Sequence, residues 1–217
     1  MKILLSDVGK RFNREWIFRH VNYSFESGVH YAITGPNGSG KSTLLQVIAG
    51  AIDYSEGKVE MTDDSLQLTE KNQPSTVISH QSTSFYQHLS FCAPYFDLIE
   101  EMTLTEFLHF HFQFKNLLTG FTIKRIIEVL GLEKAAHKQI RYFSSGMKQR
   151  VKLSQAIFAD VPVVFLDEPC TNLDESGIAQ YQQLIADYCN NRLVIVSSND
   201  KQEYGFCKEV LRISDYK

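Results

Sequence analysis

The sequence predicts an α/β domain built on a mixed, mainly parallel sheet, and three observations predict it. At 217 residues the chain is long enough for one domain with a substantial core. A glycine-rich turn, Gly35-Pro36-Asn37-Gly38-Ser39-Gly40-Lys41-Ser42-Thr43, joins a strand-like segment to a helical one. Further on, Val163-Val164-Phe165-Leu166 is a run of four apolar residues ending in Asp167-Glu168. A short continuous apolar run of this kind fits a parallel strand covered on both faces.

The elements follow in chain order. Glu15-Trp16-Ile17-Phe18 alternates like a half-buried strand, which places Trp16 toward a core. The segment from Gly28 to Thr34 reads as a strand and that from Ser42 to Ala49 as an amphipathic helix. The stretch from Thr62 to Ser75 is polar, contains Pro74 and resembles a linker. Leu89 to Ala93 reads as a strand. Thr103 to Asn116 reads as a helix opened by the capping box Thr103-Leu104-Thr105-Glu106. Ser144 is a candidate N-cap for the helix running into Val151 to Phe158.

Composition excludes several roles. Net charge is −3 and the sequence pI is near 6.2, so no general basic field for nucleic acid exists. No apolar stretch approaches the ~20 residues that span a bilayer, and no cleavable signal is visible. Cys92, Cys170, Cys189 and Cys207 lie far apart without a C-x-x-C pair and read as thiols of a reducing compartment. His109 and His111 stand two apart in the predicted helix, facing different sides, which favours structural roles over metal binding.

The glycine-rich run satisfies G-x-x-x-x-G-K-[ST], the phosphate-binding loop. Its glycines let the backbone wrap phosphate oxygens with N–H groups pointing inward. Lys41 then reaches the β- and γ-phosphates, and Ser42 offers a hydroxyl to Mg²⁺. The helix N-terminus behind the loop adds its partial positive charge. At the end of the apolar run, Asp167 is the candidate Mg²⁺ residue, bound directly or through water. Glu168 is placed to polarise an attacking water.

These motifs carry a resemblance. Over essentially its whole length the chain resembles the ATP-binding cassette (ABC) ATPases, a branch of the P-loop NTPases. Gly35 to Thr43 matches Walker A and Val163 to Glu168 matches Walker B. Ser144-Ser145-Gly146-Met147-Lys148-Gln149 matches the LSGGQ-type signature, with Phe143 at the usual Leu and Ser145 at the usual Gly. Asn172-Leu173-Asp174 resembles the D-loop, and Gly50 with Ser55-Glu56-Gly57-Lys58-Val59 the turn after the P-loop helix. The resemblance implies a RecA-like core with an N-terminal antiparallel β subdomain, roughly 1–93 and 160–217, and an α-helical signature subdomain, roughly 94–159. It also implies a head-to-tail pair of cassettes, identical or not, with ATP between one P-loop and the partner's signature. Ser144, Ser145, Gly146 and Met147 then act in trans. Phe12, in Lys10-Arg11-Phe12, matches the adenine-stacking position, with Trp16 the runner-up.

Two departures from the family pattern bear on mechanism. The switch position, normally histidine, holds Asn199 in Ser197-Ser198-Asn199-Asp200. An amide can donate to the γ-phosphate but cannot carry charge or shuttle a proton, so turnover is expected to be slow. Ser198 is the alternative at that position. The Q-loop glutamine falls on Pro94 by spacing from Thr103, or on Gln81 after Val77-Ile78-Ser79-His80. The Phe- and Tyr-rich segment from Pro94 to Leu118 matches the region that receives a membrane partner's helix. The resemblance thus implies an ATPase subunit on the cytoplasmic face of the inner (plasma) membrane, partnered with an integral permease. The alternatives are a soluble non-transport ABC ATPase and a module that closes on ATP but hydrolyses it slowly.

Overall fold

Two sheets divide the work. The computed structural model describes residues 1–62, 77–79 and 85–217; Gln81, Pro74 and most of the predicted linker lie outside them. One sheet is antiparallel, in the order β2-β1-β4-β5, from β1 (Lys2–Phe12), β2 (Glu15–Glu26), β4 (Glu56–Thr62) and β5 (Val77–Ser79). The other is parallel, in the order β6-β7-β8-β3-β9, from β6 (Leu89–Cys92), β7 (Val163–Asp167), β8 (Leu193–Ser197), β3 (His30–Thr34) and β9 (Glu209–Arg212).

Every residue of β7 and β8 is buried. Their side chains alternate between two cores, which is why the runs look continuous rather than periodic. Phe165 and Ile195 enter one core with Ile3, Phe18, Phe25 and the P-loop helix α1 (Lys41–Ile48). Val164, Leu166, Val194 and Val196 enter the other. That second core is closed by α2 (Leu104–His111), α3 (Ile123–Val129), α4 (Ser145–Ile157) and α5 (Glu175–Tyr188). Each fully buried Val, Leu, Ile or Phe contributes about 1.5–3 kcal/mol, and truncating one to alanine costs about 2–5 kcal/mol.

Register fixes the site. Ser197 on β8 pairs with Ile33 on one side and Asp167 on the other, so β3, β7 and β8 end at one level. Their outgoing loops are the P-loop, the Asp167-Glu168 turn and residues 198–200. Parallel α/β sheets bind ligands outside these carboxyl ends.

Two sequence expectations are corrected. The helix expected from Thr103 to Asn116 stops at His111. Its capping box forms: Glu106 N–H donates to Thr103 Oγ1 (3.3 Å), and Thr103 N–H donates to Glu106 Oε2 (2.8 Å). Beyond Phe112 the chain is captured by tertiary bonds instead. Lys115 Nζ donates to the carbonyls of Tyr86 and Leu89, the latter at 2.9 Å, and Leu117 bridges Ala159. Trp16 is not a core residue. It is half-buried on β2 with the guanidinium groups of Arg11 and Arg19 over its ring, at 5.4 and 4.2 Å. Phe18 supplies the fully buried ring of that alternation. The two histidines part company: His109 is exposed, while His111 Nδ1 lies 2.9 Å from Gln155 Nε2.

Candidate functional site

The P-loop is a backbone construction. Gly35, Gly38 and Gly40 have φ of 150°, 75° and 100°. At Gly40 a side chain is excluded twice over, because an added Cβ would also stand 2.4 Å from Ile17 Cγ2. Gly40 is the N-cap of α1 and supplies no side-chain cap, and the helix's first turn carries no acidic residue. Its leading N–H groups are therefore left for an anion.

Lys41 is 5% exposed, and its Nζ donates to the carbonyls of Gly35 (2.9 Å) and Pro36 (3.2 Å). The ammonium is thus held across the loop it is to serve. Ser42 Oγ donates to Asp167 Oδ1 at 3.0 Å. Asp167 is 1% exposed, and burial pushes its carboxyl above the ordinary carboxylate value. Hydroxyls of Ser197, Ser42 and Tyr95, and the charge of Lys41, oppose that rise. A buried carboxylate beside a serine hydroxyl is a hard oxygen pair that suits Mg²⁺, with Ser42 and Asp167 as the residues to hold it.

Glu168 follows in a left-handed conformation, φ 42°. Its N–H donates to the Ser197 carbonyl (2.9 Å), and its own carbonyl accepts from Thr171 Oγ1 (2.9 Å). The side chain is free to face solvent. It lines a cavity of about 220 Å³ together with Asn37, Gly38, Gly40, Lys41, Ser42, Thr43 and Ile17. It also lines a second cavity of about 180 Å³ with Thr171, Ser198, Asn199, Asp200 and Glu203. The carboxylate therefore stands where the phosphate loop meets the end of β8.

Asn199 reaches the P-loop. Its Oδ1 accepts from Gly35 N–H (3.2 Å), and its Nδ2 donates to Asn37 Oδ1 (3.0 Å). Ser198 turns the other way: its Oγ accepts from Asp200 N–H (2.9 Å), and it lines the second cavity with Glu203. Of the two residues weighed for the switch position, Asn199 is the one against the phosphate loop.

The signature residues stand apart from this cavity. Ser144 caps α4, its Oγ accepting from Met147 N–H at 3.2 Å. Ser144 and Ser145 are exposed, and Gly146 and Met147 partly so. Gly146 is pressed against the D-loop, since a Cβ there would lie 3.1 Å from the Asn172 carbonyl. Gln149 is buried and donates to the Pro169 carbonyl (2.7 Å), tying α4 to the turn after Glu168. Asp174 caps α5: its Oδ1 accepts from Gly177 N–H (2.8 Å) and Ser176 Oγ (2.9 Å), which holds its carboxyl below the usual range.

Two further expected positions are Phe12 and Pro94. Phe12 is 49% exposed at the end of β1, with Lys10 Nζ 4.8 Å from its ring centroid, and it does not line the P-loop cavity; Ile17 does. Pro94 presents only its carbonyl, which accepts from Lys152 Nζ at 2.6 Å. The polar side chain of that loop is the next residue, Tyr95. Its hydroxyl accepts from Gln46 Nε2 (2.7 Å). The sequence pointed to Tyr95 only as part of the aromatic segment from Pro94 to Leu118, and Gln46 did not stand out. Only the spacing of Gln46 from Ser42, one helical turn, held a signal.

The chain is similar to known proteins in sequence and in fold. The ABC transporter family model matches residues 18–171. The chain is 26% identical over 209 residues to the cytochrome c biogenesis ATP-binding export protein CcmA of Rhizobium meliloti, covering 95% of this chain and 94% of that one. It is 30% identical to the phosphonates import ATP-binding protein PhnC 2 of Oceanobacillus iheyensis, covering 85% and 72%. Among solved structures, a putative ABC transporter ATP-binding protein from Pyrococcus furiosus superposes with a TM-score of 0.79 at 18% identity, covering all of both chains. A dimeric bacterial ABC transporter cassette superposes with a TM-score of 0.74 at 25% identity, covering 97% and 94%.

Proposed function

The chain belongs to the ABC transporter family, whose ATP-binding proteins hydrolyse ATP, and from that premise we propose that it powers a membrane transporter as its cytosolic ATPase subunit. The observation that carries this reading is the meeting of Lys41, Ser42 and Glu168 in one cavity of about 220 Å³, with Asp167 bonded to Ser42, Asn199 bonded to the Gly35 end of the loop, and the exposed signature serines outside it.

ATP enters with its phosphates on the N–H groups of the P-loop and α1. Lys41 exchanges its two loop carbonyls for β- and γ-phosphate oxygens, a charge-assisted contact. Ser42 and Asp167 would hold Mg²⁺, which would supply charge neutralisation for the phosphates. Glu168 orients and deprotonates the attacking water, and Asn199 donates its amide NH₂ to the γ-phosphate. The adenine is expected to stack on the exposed ring of Phe12 at the end of β1.

We further propose that Ser144, Ser145, Gly146 and Met147 complete the site of a second cassette, identical or different, through the α4 N-terminus. Residues 94–159 form the arm that presents them. On this arm and beside it, Tyr95, Phe96, Ile99, Phe110 and Phe114 are all at least 38% exposed, while Phe107 is buried. These exposed rings are the proposed seat of an integral permease at the inner face of the plasma membrane. Among the described residues, no helix is long and apolar enough to cross a membrane, and a net charge of −3 gives no general basic field for nucleic acid.

A slow variant of the same reading is favoured by Asn199, since both ends of its amide are already engaged on the loop. The test of the clamp is mass. Glu168→Gln with ATP is expected to double the scattering mass, and Ser144→Arg to prevent it. No ATP-dependent mass change in Glu168→Gln would refute the paired-cassette reading.

A further inference from the structure

A cavity of about 460 Å³ opens at the other end of the parallel sheet, where β3 and β8 begin. It is larger than the P-loop cavity of about 220 Å³ and falls in the roughly 300–1,000 Å³ range of small-molecule sites. It shares no lining residue with that cavity.

Its walls divide by chemistry. Phe206 and Ile185 make an apolar side, with Phe206 set edge-on to the His30 ring at 5.5 Å. Three acceptors gather toward the carbonyl end of α5. His30 Nε2 donates to the Cys189 carbonyl (3.1 Å), which leaves Nδ1 to accept. Gln182 Nε2 donates to the Gln202 carbonyl (2.8 Å) and Asn190 Nδ2 to that of Ala186, which leaves each amide oxygen to accept. A helix C-terminus also carries partial negative charge, so this end suits a cation. Beside it stands a cation of the protein, Lys208, whose backbone N–H donates to the His30 carbonyl (3.0 Å). Among the described residues that line the cavity there is no carboxylate, and Lys208 is the only lysine or arginine.

A ligand that satisfies both ends needs a positive donor and a negative acceptor close together on an apolar body. We infer that this cavity binds a free α-amino acid with a large apolar side chain: its ammonium on the His30, Gln182 and Asn190 acceptors, its carboxylate on Lys208, and its side chain on Phe206 and Ile185.

The position of the cavity gives it a route to the nucleotide. Its Gly205–Phe206 wall directly follows α6 (Lys201–Tyr204). On α6, Glu203 lines the cavity shared by Glu168 and Asn199, and its Oε1 accepts from the N–H of Cys170 (2.7 Å), just beyond Glu168. Tyr181 pins α6 to α5, its hydroxyl donating to the Glu203 carbonyl (2.8 Å). One short helix thus stands between two cavities, and an occupant of one bears on the wall of the other. This link rests on the ATPase reading; the site itself does not.

The test uses L-phenylalanine, titrated into the nucleotide-free protein and followed by ¹H–¹⁵N NMR. Shifts are expected at residues 28–30, 182–190 and 205–208. N-acetyl-L-phenylalanine lacks the cation, L-phenylalaninamide the carboxylate and L-alanine the ring, and each is expected to bind at least about fivefold more weakly. Lys208→Gln, at an exposed position, is expected to weaken L-phenylalanine roughly two- to fivefold and to make no difference to the amide. No shifts at those residues with up to about 10 mM L-phenylalanine would overturn the site. Equal affinity for the N-acetyl or amide form would overturn its assignment to a zwitterion. Repeated with MgATP on Glu168→Gln, the titration is expected to show an affinity changed at least about twofold, as linked sites require. An unchanged affinity with nucleotide bound, as seen in its ³¹P shifts, would overturn the link alone. A failure of nucleotide to bind would overturn the ATPase reading and the link with it, and leave the amino-acid site standing.

Discussion

The P-loop and the rim facing it leave the same edge of the parallel sheet, and they are built from different materials. The P-loop after β3 is made of backbone: three glycines with positive φ and a helix N-terminus with no side-chain cap. The rim facing it is made of side chains: Glu168 after β7, Asn199 after β8 and Tyr95 after β6. A backbone site needs fixed residue types at fixed spacing, because no other residue fits the conformation. A side-chain site needs only a suitable group at the right place, so different residues at different positions can serve. The first tolerates little change; the second leaves room for substitutions such as Asn199.

The largest expected effect lies on the rim. Glu168→Gln should lower ATP turnover by about 10²- to 10⁴-fold, the usual contribution of a positioned general base, with nucleotide binding retained. Steady-state phosphate release together with a binding titration would show both halves. Turnover within a few-fold of wild type would move the base elsewhere.

The loop comes next. Lys41→Ala should weaken MgATP binding by roughly 10- to 150-fold, since hydrogen bonds to charged groups are worth about 1.5–3 kcal/mol. Equilibrium titration decides the matter: affinity within about twofold of wild type would mean the ammonium remains on the Gly35 and Pro36 carbonyls when nucleotide binds.

Asn199 sharpens the contrast between loop and rim, because it is a rim side chain that grips the loop. Asn199→His should raise turnover roughly 3- to 30-fold, less than the full worth of a transition-state donor because asparagine already supplies part of it. Asn199→Ala removes the bonds to Gly35 and Asn37 and should lower turnover. If alanine is silent and histidine adds nothing, Asn199 only latches the loop.

The smallest effect concerns pH and lies away from both loops. Burial holds His111 below the ordinary imidazole value, and likewise His30. A group whose folded value is depressed contributes stability that is complete above about 6.5, its unfolded value, and is lost as pH falls below it toward the folded value. Asp167 and Glu203 are raised by burial and act with the opposite sign, recovering stability on acidification. The comparison must therefore be between variants: His111→Gln should show a shallower loss of melting temperature from pH 7.5 to 5 than wild type, by a few degrees at most. Parallel curves would show that His111 does not contribute.

The sequence by itself determined the P-loop, the acidic end of β7, the capping box at Thr103 and the cap at Ser144. In each, one short segment carries both the constraint and its solution: glycine where φ is positive, carboxylates at a strand end, a hydroxyl three residues before the N–H it accepts. Tertiary structure decided what depends on a distant partner. Lys115 ended α2 by reaching the carbonyls of Tyr86 and Leu89, which no helical period foretells. Arg11 and Arg19 kept Trp16 out of the core by covering its ring. Ser198 and Asn199 are both plausible at the switch until β8 pairs with β3 and sends one toward Glu203 and the other toward Gly35. Tyr95 reached Gln46 of α1 because parallel pairing sets the end of β6 beside the end of β7, a register that exists only once the sheet has formed.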